Sequence, residues 1–188
     1  MKKTKVMSAA FIARAAMIAA IYVVLTILFA PISFSEVQVR ISESLTILPL
    51  FTPAAIPGLL VGCIIANSIG GAIIWDILFG SLATLIGAVG GYLLRRNRWL
   101  VPIPTIVSNT VIIPLILRFG YGVNLPIPIL MLSIAAGEFI SCYILGELLA
   151  TILKPHSKFI FGETDAAAEN GTASETDAAA KSDAAAAS

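Results

Sequence analysis

Residues 37–72 read VQVRISESLTILPLFTPAAIPGLLVGCIIANSIGGA, and the number of helices in this stretch decides the fold. Wound as one α-helix it would run roughly 54 Å, nearly twice the ~30 Å hydrocarbon thickness of a bilayer. It carries Pro49, Pro53 and Pro57, and a residue before proline is pushed out of the α region. The stretch is therefore expected to break around Thr52-Pro53 into two short spans, 37–52 and 54–72.

On either side lie longer apolar runs, at about 9–30, 75–95, 99–118 and 127–153. The whole chain has 188 residues, 58% hydrophobic and 12% charged, with a mean hydropathy of +0.95. A water-soluble domain of this size needs far more charge on its surface. In hydrocarbon every backbone N–H and C=O must be paired internally, so such runs imply helices. The expected fold is an all-α membrane protein, a six-helix transmembrane bundle over residues 1–160. The N-terminal run is interrupted by Arg14 and continues to Ala30. That is too long for a signal-peptide core, so it is expected to be a retained first helix.

Charge fixes the expected orientation. Residues 1–162 carry eleven basic and five acidic side chains, a balance of +6, while residues 163–188 carry one lysine and six acids, −5. Residues 161–188 form a low-complexity Ala/Asp/Glu/Ser/Thr segment with too little apolar area to order itself, expected to be a disordered cytoplasmic tail. Basic residues of the apolar part cluster at Lys2/Lys3/Lys5/Arg14, Arg95/Arg96/Arg98 and Lys154/Lys158. Positive residues favour the cytoplasmic side. Six spans put all three clusters there with both termini; five would send Arg95–Arg98 outside. Trp75 and Trp99 then fall at opposite interfaces.

Acids are scarce in the apolar part: Glu36, Glu43, Asp76, Glu138 and Glu147. Charged groups within spans usually face a cavity or a partner. In the six-span arrangement Arg40, Glu43, Asn67, Asp76, Asn109 and Glu138 come from five helices and gather in the outer half of the bundle. Convergent polar groups in apolar surroundings are what a small polar ligand requires. Blander roles are open: an Arg40–Glu43 pair at i, i+3, Asp76 as a helix cap, Asn and Glu bonds between helices. Glu147, near the inner end, is expected to be structural. Small residues recur at i, i+4 in Ala15/Ala19, Ala16/Ala20, Gly58/Gly62 and Gly87/Gly91, which lets backbones approach in lipid. The glycine pairs suit packing within the bundle, and the alanine pairs could equally face another subunit.

Cys63 and Cys142 sit within apolar runs without a CxxC pair or Cys/His cluster, so neither a structural disulfide nor a metal site is expected. The chain has no GxxxxGK[ST] phosphate loop, no HExxH and no GxSxG, so it is not expected to be an enzyme or to hydrolyse ATP itself. Its halves show no evident repeat of the inverted-repeat transporter type.

The stretch APISFSEVQVRISESLTILPLFTPAAIPGLLVGCIIANSIGGAIIWDILFGSLATLIGA, from Ala30 to Ala88, closely resembles the queuosine-precursor transporter family. The resemblance rests on Arg40-Ile-Ser42-Glu43 followed by Pro49 and Pro53, then Ala66-Asn67, Asp76 through Gly80-Ser81 to Thr84, Asn109, and Gly137-Glu138. It runs from about Ala15 to Leu153. The family comprises substrate-binding (S) components of energy-coupling-factor importers. The resemblance therefore implies six helices, cytoplasmic termini and an outward-opening site for a 7-deazaguanine precursor of queuosine. Arg40, Glu43, Asn67, Asp76, Asn109 and Glu138 would form that site. It also implies a membrane coupling (T) subunit, docked through Ala15/Ala19 or Ala16/Ala20, and two cytoplasmic ATPases, in a bacterial plasma membrane. No cofactor and no nucleic-acid partner is implied. The alternatives are an S component for another vitamin or purine-like solute, and a membrane scaffold whose acids only pair helices.

Overall fold

The computed structural model describes residues 9–29 and 40–161. Lys2, Lys3, Lys5, Glu36 and the acidic tail beyond Phe161 lie outside the described residues. Among these residues every regular element is helical, as expected for an all-α chain. In order they are α1 (Ala9–Leu28), α2 (Ile41–Leu50), α3 (Ala55–Ile69), α4 (Asp76–Leu93), α5 (Arg98–Gly120), α6 (Ile127–His156) and a short final α7 (Ser157–Phe161). Four of them, α1, α4, α5 and α6, are long and apolar enough to cross a membrane, while α2 and α3 are shorter apolar helices.

The element α2 is wound as a 3-10 helix over ten residues, longer than such helices usually persist. Two local features favour this winding. Pro49 has no N–H to give to the carbonyl four residues back, and the Thr46 hydroxyl donates to the Glu43 carbonyl at 2.6 Å, three residues back. A 3-10 helix also rises ~2.0 Å per residue, so the segment reaches about 20 Å where an α-helix would reach about 15 Å. The chain then turns at residues 51–54. Phe51 N–H donates to Leu48 O at 2.9 Å, and Ala54 N–H donates to the Thr52 hydroxyl at 3.3 Å where α3 begins.

Every residue from Ser42 to Pro49 is buried, because α1, α3, α4 and α6 all pack around α2. It is the axis of the bundle rather than a lipid-facing helix. That explains how ISESLTILPL can be so polar: its hydroxyls and its acid face protein, not acyl chains.

Contacts between helices fix their directions. Tyr22 and Thr26 of α1 meet Glu43 and Ser42 of α2 in reverse order. Ala15 and Ala19 lie against Gly58 and Gly62 in the same order, so α1 and α3 are parallel. Cys63 meets Thr84 and Asn67 meets Asp76, so α3 and α4 are antiparallel. Gly87 and Gly91 meet Thr105 and Val101, reversing direction again. The elements thus alternate. Arg98 and Glu147, with the stacked rings of Phe51 and Phe161, mark one end. Trp75, Tyr121 and the short loops 70–75 and 121–126 mark the other.

Both glycine pairs are close-approach points within the bundle. A Cβ on Gly87 would sit 2.7 Å from the backbone Cα of Thr105, so α4 and α5 must separate to admit one. Gly87→Ala is expected to cost about 1–3 kcal/mol, read as a clear fall in the thermal midpoint of the detergent-solubilised protein. An unchanged midpoint would show that the two helices do not pack this closely.

Candidate functional site

The six polar residues singled out by sequence are all buried, none more than 5% exposed. They fall in one connected cluster in the half of the bundle nearer Trp75 and Tyr121. It has two lobes. In the first, the Tyr22 phenol donates to Glu43 Oε1 at 2.5 Å, and Asn109 Nδ2 donates to Glu138 Oε1 at 2.9 Å. The Cys142 thiol sits 3.0 Å from Glu138 Oε2 and 3.6 Å from the Glu43 carbonyl oxygen. In the second lobe, Arg40 Nη2 lies 3.7 Å from Asp76 Oδ2, and Asn67 Nδ2 donates to the Asp76 carbonyl at 3.5 Å. Arg40, three residues before Glu43, joins the lobes along α2.

Local winding places several of these groups. Among the described residues three stretches are π-wound, Asp76–Gly80 in α4, Ile116–Gly120 in α5 and Phe139–Leu145 in α6. One begins with Asp76, one ends beside Tyr121, and one follows Glu138 and contains Cys142. A π turn takes up an extra residue and re-aims side chains, and such turns recur at functional sites. Asp76 does not cap α4, which has no side-chain cap; its carboxylate instead meets Arg40 and Tyr121.

The cluster holds three carboxyl groups and one guanidinium. Donor atoms of Glu43, Glu138 and Cys142 all lie within 4.8 Å of one another. In a low-dielectric interior, two carboxyl groups at this spacing are accommodated by protonation or by a positive group beside them. Several acceptors are also open: Glu43 Oε2, Asp76 Oδ1 and Asn109 Oδ1 are buried without a hydrogen bond. Buried polar atoms are nearly always satisfied, and open ones are not confined to this cluster, since Glu147 Oε1 at the opposite end is another.

Sequence reading passed over four members of the cluster. Tyr22 is fully buried on α1 and holds Glu43; a polar aromatic in mid-span was its only signal. Cys63 and Cys142 are free, fully buried small core residues that also border the cluster, Cys63 meeting Asn67 and Thr84. Tyr121, on the 121–126 loop, donates to Asp76 Oδ2 at 3.1 Å. Burial and the neighbouring Asp76 carboxylate hold its phenol above the ordinary value, which keeps it a donor. Glu147 stands apart at the opposite end, bonded to Arg98 at 2.6 Å.

The alanine pairs divide cleanly. Ala15 and Ala19 lie against Gly58 and Gly62 of α3, whereas Ala16 and Ala20 are exposed on the outside of α1. A groove of about 500 Å³ between α4 and α5, lined by Trp75, Phe79, Leu115 and Phe119 among others, holds no charged side chain. It suits apolar contacts and is separate from the polar cluster.

A family model described as QueT transporter matches residues 12–155. No curated protein and no solved structure matches the chain.

Removing the Tyr22 hydroxyl should expose how far Glu43 depends on it. Tyr22→Phe keeps the ring but leaves the buried carboxyl without this donor, at an expected cost of about 1–3 kcal/mol. A thermal midpoint equal to that of the parent would contradict this bond.

Proposed function

Because this chain belongs to the QueT transporter family, we propose that it captures a 7-deazaguanine precursor of queuosine as the S component of an energy-coupling-factor importer. The supporting observation is the closed, acid-rich cluster that joins Glu43 to Glu138 and keeps acceptors open. A guanine-like ring offers adjacent N–H donors, at N1 and the exocyclic amine, which one carboxylate accepts together. Glu138, steadied by Asn109, takes this ring edge. Glu43 or Asp76 neutralises the ammonium of an aminomethyl precursor, and Asn67 and Asn109 read the remaining ring atoms. The excess of carboxyl groups over guanidinium favours the aminomethyl compound over the neutral nitrile.

The bundle crosses a bacterial plasma membrane six times in this reading, with both termini in the cytoplasm. The short elements α2 and α3 provide the second and third crossings. Alternating directions bring Arg14, Arg98 and Lys154 to one end, the end that a positive-inside arrangement makes cytoplasmic. The polar cluster then lies toward the outer face. Energy comes from two partner ATPases through a membrane coupling subunit. Ala16 and Ala20 are the pair available to that subunit, since Ala15 and Ala19 are spent on α3.

Titration with the two precursors tests the ligand. Glu138→Gln should weaken binding by about 10–150-fold, the worth of hydrogen bonds to a charged group, and unchanged affinity would sink the ring-edge role. Docking is tested separately. Ala16→Leu with Ala20→Leu should abolish co-purification with the coupling subunit and leave precursor affinity intact; continued co-purification would exclude this face.

A further inference from the structure

The cluster is closed at the Trp75–Tyr121 end, and one side chain joins the two described loops there. The Tyr121 phenol donates to Asp76 Oδ2 at 3.1 Å and accepts from Ile73 N–H at 3.3 Å. It is thus bonded at once to loop 70–75 and to the first residue of α4. Its own ring is half-exposed, while Asp76 beneath it is buried.

Both loops are tied by backbone hydrogen bonds to the helix that precedes them. Loop 121–126 is braced by Arg118, which donates to Val123 O at 3.0 Å and to Asn124 Oδ1 at 3.2 Å. Its backbone is also tied to the end of α5, through Tyr121 N–H to Ile116 O and Val123 N–H to Leu117 O. Each loop turns at a left-handed glycine with nothing within 4 Å of where a side chain would begin, Gly71 at φ +75° and Gly122 at φ +70°, and loop 70–75 is tied to the end of α3 through Ala72 N–H to Asn67 O. Its apolar anchor is Ile73, packed beside Ile113 and Ile116. Arg118 therefore gives loop 121–126 a side-chain brace of its own, and the Tyr121 phenol joins loop 70–75 to it.

We infer that Tyr121 is a latch: by bonding both Ile73 and Asp76 it pins the 70–75 loop shut over the buried polar cluster, and releasing the phenol opens the path for ligand. A latch presupposes that the cluster is a ligand site, and it adds the residue that sets exchange across its mouth. Asp76 then has two tasks, pairing Arg40 on its inner side and receiving the latch on its outer side.

The test uses the full chain in detergent and needs no precursor, so it stands apart from the identity of the ligand. Cys63 and Cys142 are buried and lie on the cluster, and their labelling by a small water-soluble thiol reagent, followed by mass spectrometry, reports opening. Tyr121→Phe removes both hydrogen bonds and keeps the ring. Labelling should accelerate about tenfold, the loss expected for a hydrogen bond to a charged group. Amide exchange should rise in peptides covering residues 70–75, with α5 and α6 remaining protected. Labelling within twofold of the parent overturns the latch. So does a rise in amide exchange spread evenly over α3 to α6, which marks a merely structural tyrosine.

Discussion

The bond between the Tyr22 phenol and the Glu43 carboxyl is the point on which the bundle turns. An acid in the interior of a membrane protein must be enclosed by other chain, and α2 carries one together with three hydroxyl-bearing residues. Their burial obliges α1, α3, α4 and α6 to surround the 3-10 helix. Ser42 accepts from Thr26 of α1 at 2.7 Å, and Thr46 donates to the backbone of α2 itself. Glu43 requires the phenol from α1. Once α2 is central, the polar residues of its neighbours that face it become a single cluster.

That geometry divides the molecule by chemistry. One end is held by an ordinary charge pair, Arg98 to Glu147, with Thr151 as a further acceptor at 2.9 Å. The cluster in the other half holds three carboxyl groups to one guanidinium. A structural network would be expected to close its own hydrogen bonds. Neither half closes all of them: Glu43 Oε2, Asp76 Oδ1 and Asn109 Oδ1 stay open in one, and Glu147 Oε1 in the other.

Close packing and the site depend on each other. Gly58 and Gly62 let α1 approach α3, which brings Tyr22 to Glu43. The π stretches work in the opposite sense, loosening α4 and α6 where Asp76 and Cys142 must turn inward. Rigid contacts thus hold the bundle while irregular winding shapes its polar half.

Sequence by itself determined that the chain is helical and apolar, with acids too few to be incidental. It also placed the break at Thr52-Pro53, because proline geometry and bilayer thickness are local constraints that composition exposes. Only the tertiary structure decided that α2 is a buried axis, since periodicity does not distinguish a lipid-facing helix from an enclosed one. It paired Arg40 with Asp76, which comes from distant sequence. It also assigned Ala15 and Ala19 to the interior and brought Tyr22, Tyr121 and both cysteines to the cluster. Such assignments depend on which helix stands beside which, and that follows from packing the whole bundle rather than from any one segment.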